Sequence, residues 1–318
     1  MKFWLGTIAA PLLFIGLHSF GQNHINHLDA PDMPVIFAPG LISTGLNERD
    51  FAMMPDGSEI IYTLANHNNK RRMLVSVKIE EGVFQTPTVL PFSGVHNDIE
   101  PFFHPNGRIL YFASNRPLAG HEKANYNIFM SERVDDTWTD AVALHPRINS
   151  MEDEFYPSIT LSNTIYFTST REGGVGKEDI WKSQFIDGDY QTPTVLDTTV
   201  NSDTYEFNAY VSPDESIIIF SSYGRADDLG GGDLYMSQKD ATGRWQKAVH
   251  FGADINSTFL DYCPFLDVEN NTFYFTSQRT SEMQLHTDTY QAFKKYLNCS
   301  GNGMGDIYYM DAKLLKLK

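Results

Sequence analysis

Five acidic residues, Glu48, Asp98, Glu154, Glu206 and Asp261, recur along the chain at intervals of 50, 56, 52 and 55 residues. Four arginines, Arg116, Arg171, Arg225 and Arg279, follow the last four of them at a nearly constant offset. Carboxylates repeated in this way can do three kinds of work. Paired with the guanidinium groups, they would be neutralised and would tie neighbouring segments together. Left close to one another, they would raise each other's pKa or hold a hard cation such as calcium, which prefers several carboxylate oxygens. Two of them at a suitable separation could also serve as acid and base, or acid and nucleophile, in cleaving a glycosidic bond. The regular recurrence weighs against the last, because a catalytic pair needs unlike environments to push its pKa values apart.

The elements around these residues recur with the same period. An aromatic or β-branched run ending in Ser or Thr appears as Ile109–Ser114, Ile165–Ser169, Ile217–Ser222 and Phe273–Ser277, with Ile60–Thr63 as a weaker fifth copy. A turn signal precedes each run, among them Pro55-Asp56-Gly57, Pro105-Asn106-Gly107 and Pro213-Asp214-Glu215, as expected of a tight hairpin. A Gly-rich loop and a third strand follow (Asp179-Ile180-Trp181, Asp233-Leu234-Tyr235, Asp306-Ile307-Tyr308), and a fourth strand opens on Phe84, Trp138, Tyr190 or Trp245. Four short strands are the content of one propeller blade. The fifth unit lacks its own fourth strand, and Val35–Leu41 stands where a predecessor's fourth strand belongs. The expectation is an all-β, five-bladed β-propeller of four-stranded antiparallel blades over residues 35–318, closed by an N-terminal strand in the last blade. In such a disc the five acids would ring one mouth of the central tunnel, with the arginines on the same face.

The pattern acid-x-x-Pro, Pro-Asp/Asn-Gly, Tyr-Phe-x-Ser-x-Arg, Gly-Gly-x-Gly and Asp-Ile-Tyr resembles the WD40-like repeats of TolB-type periplasmic propellers, which also occur in envelope proteins fused to OmpA-like modules. The resemblance covers residues 35–318 and implies the propeller fold and an envelope location. The first unit departs from it, lacking both the arginine and the glycine loop.

Composition narrows the partners. With 40 acidic against 24 basic residues and a net charge of -16, the surface repels phosphate backbones, so no nucleic-acid role is expected. Lys2, the apolar run Phe3–Leu17 and Ser19-Phe20-Gly21 read as a cleaved signal peptide over residues 1–21, followed by a tail over 22–34. The mature chain is expected to be a monomer, periplasmic or secreted, with no membrane span. Exported chains retain disulfides, and the two cysteines, Cys263 and Cys299, are expected to form a bridge pinning an insertion at about 280–303 over the tunnel mouth. That insertion breaks the repeat and carries Tyr290, Phe293 and Tyr296 on a helix-like stretch, either packed on the blade or offered to a partner. The glycine loops read as turns rather than phosphate cradles, since no helix or Lys-Ser/Thr follows them. The ten histidines form no zinc-type cluster, and His24 and His27 fall in the tail. The preferred function is a binding or scaffold module engaging an envelope protein or glycan through the tunnel-mouth face. The alternative is a carbohydrate-active enzyme, a glycoside hydrolase or lyase, using the ring acids. No cofactor is expected beyond a calcium ion at the ring.

Overall fold

The structure, a computed structural model, describes residues 30–121, 124–280 and 288–316. The segment read as a signal peptide lies outside them, as do His24 and His27. Five antiparallel sheets are arranged as the blades of a closed propeller. Their innermost strands are Asn47–Met53, Asp98–Phe103, Glu154–Ile159, Tyr205–Val211 and Asp261–Asp267. Each is joined by a hairpin to a second strand, and the hairpin turns hold Gly57, Gly107, Asn163, Glu215 and Asn271 at positive φ, which the Pro-Asp-Gly-type sequences supply cheaply.

The ring closes as the repeat predicts. Val35–Ile36 pairs antiparallel with the third strand of the last blade, Asp306–Asp311, in the register Val35 to Tyr309 and Ile36 to Tyr308. Phe37 then enters the core, with ring centroids 5.6 Å from Phe51, 5.8 Å from Phe84, 5.2 Å from Tyr274 and 5.3 Å from Tyr309. The aromatic anchors Phe84, Trp138 and Tyr190 are buried. They sit in small two-residue pairings beside the fourth strand, which is itself reduced to pairs such as Thr88–Val89 and Thr194–Val195.

Every innermost strand carries a β-bulge at the same place. The register slips between Arg49 and Ala52, Ile99 and Phe102, Phe155 and Ser158, Phe207 and Tyr210, and Tyr262 and Phe265. Within each bulge one residue adopts a left-handed conformation: Asp50 (φ 61°), Glu100 (60°), Tyr156 (45°), Asn208 (52°) and Cys263 (52°). None is glycine, so each site costs roughly 1–3 kcal/mol of backbone strain. Bulges re-aim side chains, and here they turn five unlike residues toward the axis.

The insertion folds as the helix Tyr290–Leu297, capped by the Thr289 side chain, which accepts from the Ala292 N–H at 3.1 Å. None of its residues is buried. Its C-terminal end rests on the linker into the first blade. Asn302 donates to the Gly45 carbonyl at 3.2 Å, and a Cβ on Gly45 would come within 2.6 Å of the Asn298 backbone. Gly45 is therefore required by close approach.

Candidate functional site

The repeated acids do not line the tunnel. Glu48, Asp98, Glu154, Glu206 and Asp261 are fully buried, and each turns back to the linker that leads into its own strand. Glu48 accepts from the N–H and Oγ1 of Thr44 at 2.9 and 2.6 Å. Glu206 accepts from the N–H and Oγ of Ser202, both at 2.6 Å. Ser150 and Ser257 hold Glu154 and Asp261 in the same way, and Ser93 reaches Asp98 at 2.8 Å. Side chains alternate along a strand, so the next residue, not the acid, faces the axis. The expected carboxylate ring at the tunnel mouth is thus corrected to five acids set into the seams that connect the blades.

The arginines complete four of these seams. Arg116 meets Asp98 at 2.6 Å, Arg171 meets Glu154 at 2.8 Å, Arg225 meets Glu206 at 2.8 Å and Arg279 meets Asp261 at 2.6 Å. In each case Nε donates to the serine ending the second strand (Ser114, Ser169, Ser222 or Ser277). Nη2 also donates to a carbonyl of the linker from the preceding blade (Phe92, Ile148, Val200 or Ile255). Each guanidinium lies over aromatic rings, as Arg225 does 5.2 Å from Phe220 and 4.7 Å from Tyr235. One cation therefore serves as ion-pair partner, hydrogen-bond hub and ring-stacking group. Among the described residues no group of three or more His, Cys, Asp or Glu side chains is arranged to hold a metal ion, and the five acids stay in five separate seams.

The expected disulfide is not formed. Cys263 is a free thiol on the bulge of the last innermost strand, and its Sγ donates inward to Asp50 at 2.6 Å. Cys299 follows the helix and donates to the Tyr296 carbonyl at 3.2 Å. The bulge turns Cys263 to the axis, whereas a bridge would need it to face the insertion. Tyr290 and Phe293 are exposed at 73% and 46%, while the Tyr296 hydroxyl donates to the Asn302 carbonyl at 3.1 Å. The helix thus presents its first two aromatics outward.

The residues that do converge at the axis are ones the repeat pattern conceals. Arg49 donates through Nε to Asp50 at 2.8 Å and through Nη2 to Glu100 at 2.9 Å, crossing from the first blade to the second. Asn208 donates to the same Glu100 oxygen at 3.2 Å, and the Tyr156 N–H donates to the other at 2.8 Å. Burial lifts the Glu100 carboxyl to about 7, against the pull of Arg49. Burial, with Asp50 beside it, pushes the Cys263 thiol well up, so it is no nucleophile. The second Asp50 oxygen, Oδ2, is buried without a hydrogen-bond partner. Below this polar layer the tunnel is filled by Phe102, Tyr210 and Phe265, with the Tyr210 ring 5.6 Å from Phe265 and 6.2 Å from Phe102. A second cavity, of about 290 Å³ and mainly apolar, opens beyond them on the other face.

Above the polar layer lies a cavity of about 250 Å³. The residues following the repeated acids wall it: Arg49, Ile99, Phe155, Phe207 and Tyr262, with Glu100 and Asn208 at its floor. It combines aromatic faces, the guanidinium groups of Arg49 and Arg72, the carboxyls of Glu100 and Glu178 and an amide. Those on the innermost strands could be found in sequence only by reading the positions one and two beyond the acids, where the five units share no residue type.

No protein-family model and no curated protein matches the chain. Among solved structures, the α-L-arabinofuranosidase PaAbf62A from Podospora anserina, in complex with cellotriose, is similar at 12% identity and a TM-score of 0.53, covering 89% of this chain and 98% of that one. The catalytic domain of the Coprinopsis cinerea GH62 α-L-arabinofuranosidase gives 11% identity and a TM-score of 0.49, over 83% and 90% of the two chains. TolB from Acinetobacter baumannii gives 14% identity and a TM-score of 0.47 over 83% of this chain, which spans about half (54%) of TolB's length. At these identities the likeness is one of fold.

Proposed function

We propose that the protein is an exported binding propeller that engages a glycan or protein partner through its tunnel-mouth face, with a sugar-sized group as the favoured occupant of the mouth cavity. The observation that carries this reading is the composition of the cavity wall. The partly exposed Phe155 and Phe207 offer faces on which an apolar ring face can stack, while Tyr262 is covered by Arg49, and Arg49, Glu100 and Asn208 offer hydrogen-bonding groups below them. The exposed Tyr290 and Phe293 on the same face extend the surface available to a larger partner.

The glycosidase reading is the weaker one. The repeated acids are consumed by arginines and linker hydroxyls, and the two axial carboxylates, Asp50 and Glu100, are bridged by a single guanidinium. An arginine held between the pair leaves neither carboxylate in the separate role that glycoside cleavage demands, so that Glu178 is the one cavity-lining carboxyl outside that cluster. Periplasmic or extracellular residence rests on the N-terminal sequence alone. No helix among the described residues is long and apolar enough to cross a membrane.

Isothermal titration of the protein with a panel of neutral and acidic oligosaccharides tests the proposal. Binding that is lost in Phe155→Ala and Phe207→Ala supports it. Equal heats from wild type and both variants would remove the mouth as the site. Product formation during the titration would reinstate catalysis.

A further inference from the structure

Four of the five seams hold a guanidinium, and the first does not. Superposing the blades by their strand pairing makes the difference explicit. Glu48 pairs in register with Leu64, where Asp98, Glu154, Glu206 and Asp261 pair with Ser114, Ser169, Ser222 and Ser277. Two residues on, Asn66 occupies the place of Arg116, Arg171 and Arg279. Tyr62 and its cross-strand partner Val75 correspond to the ring pairs that sandwich the guanidinium elsewhere, Phe112 with Phe129, Phe167 with Trp181, Phe220 with Tyr235 and Phe275 with Tyr308. Ile42, six residues before Glu48, corresponds to Phe92, Ile148, Val200 and Ile255, whose carbonyls accept from the guanidinium groups in the other blades. The acid, one aromatic wall and the linker are retained, while the cation and its serine are gone and Val75 stands in place of the second ring.

The room left behind is real. A cavity of about 250 Å³ is bounded by Thr44, Glu48, Tyr62, Leu64, Val75 and Thr88. It opens beside the exposed Thr88 and Val89 of the outer strand. Among the described residues no basic side chain forms an ion pair with Glu48, whose only hydrogen bonds come from Thr44. A single carboxylate at the end of an apolar, aromatic-walled slot suits a weakly hydrated planar cation far better than a divalent metal, which needs several oxygens. The net charge of -16 draws such cations to the chain.

We propose that this slot is a docking site for an arginine side chain of a partner polypeptide, its guanidinium seated between Glu48 and the Tyr62 ring as the chain's own arginines are seated in the other four blades. The site is separate from the tunnel mouth, since none of Thr44, Glu48, Tyr62 or Val75 borders that cavity. It therefore stands or falls independently of the ligand proposed there.

The test is titration, followed by NMR, of a blocked Gly-Arg-Gly peptide against the same peptide carrying lysine or citrulline. The arginine peptide is expected to bind at least about tenfold more tightly than either, because only it offers a forked cation. Glu48→Gln should abolish that preference. The double variant Leu64→Ser with Asn66→Arg supplies the missing guanidinium from within the chain. It should raise the melting temperature and lose the arginine peptide, so the test survives even if Glu48→Gln folds poorly. Equal binding of the three peptides, or undiminished binding by the double variant, would overturn the proposal. Binding of free arginine amide without the peptide would overturn its assignment to a polypeptide partner.

Discussion

The guanidinium of Arg49, in the first blade, lies 2.9 Å from the carboxylate of Glu100, in the second, and the same group holds Asp50 at 2.8 Å. Among the described residues this is the one ion pair that joins neighbouring blades on the axis. Removing the cation leaves two carboxylates buried together. Arg49→Met is expected to destabilise the fold by about 3–5 kcal/mol, the cost of leaving a buried charge unpaired, as read from urea unfolding. A further change of Glu100→Gln should recover part of that loss.

The seam arginines give a second, graded expectation. Arg171→Ala strips Glu154 of its ion-pair partner and the Ile148 carbonyl of its donor, and should cost about 3–5 kcal/mol. Asn66→Ala, at the corresponding place in the first blade, loses only two exposed turn bonds, from the Lys70 and Arg71 N–H groups, and should cost about 1 kcal/mol. Parallel thermal melts of the two variants make the comparison.

The thiols yield a third. With no bridge between Cys263 and Cys299, dithiothreitol should leave the melting temperature unchanged. Cys263 is fully buried, so an alkylating reagent should label it only after unfolding. Peptide mapping of protein alkylated before and after denaturation reads this directly.

Stability should also depend on pH in an unusual direction. Burial lifts the carboxyls of Glu48, Glu100 and Asp306 to about 7 each. Their ordinary values lie near 4, so between about pH 4.5 and 7 the folded chain binds more protons than the unfolded one. Stability therefore falls as pH rises through that window and is greatest on its acid side. Below it the order reverses for Glu215, which Lys239 holds down at about 2 against the effect of burial. Such a group contributes stability that disappears on acidification. Melting temperature should peak near pH 5 and decline toward pH 8, with a shallower decline in Glu48→Gln.

The repeat made the architecture legible because each blade must solve the same packing problem with the same residues. The run Ile-Tyr-Phe-Thr-Ser, the turn before it and the acid preceding the first strand announced five blades, and the unpaired fifth unit announced the closing strand. Side-chain direction was a different matter. The repeat marks the acidic position but not which side of the strand meets the axis, and the bulges at Asp50, Glu100, Tyr156, Asn208 and Cys263 have no shared residue type by which to detect them. The axial cluster was hidden because function there depends on differences between units, while the eye follows what is common. Cys263 shows the cost most plainly. Two cysteines behind a signal-like N-terminal sequence suggest a bridge, yet one bulge residue turns the sulfur the other way.

Pairing Val35–Ile36 with Asp306–Asp311 joins the first and last described strands, so the disc cannot be completed before the fifth blade has been made. Until the final blade emerges, the earlier sheets have an open flank and no Phe37 in their midst. Contacts of such long range form slowly, so the earlier blades wait on the fifth before their shared ring is fixed.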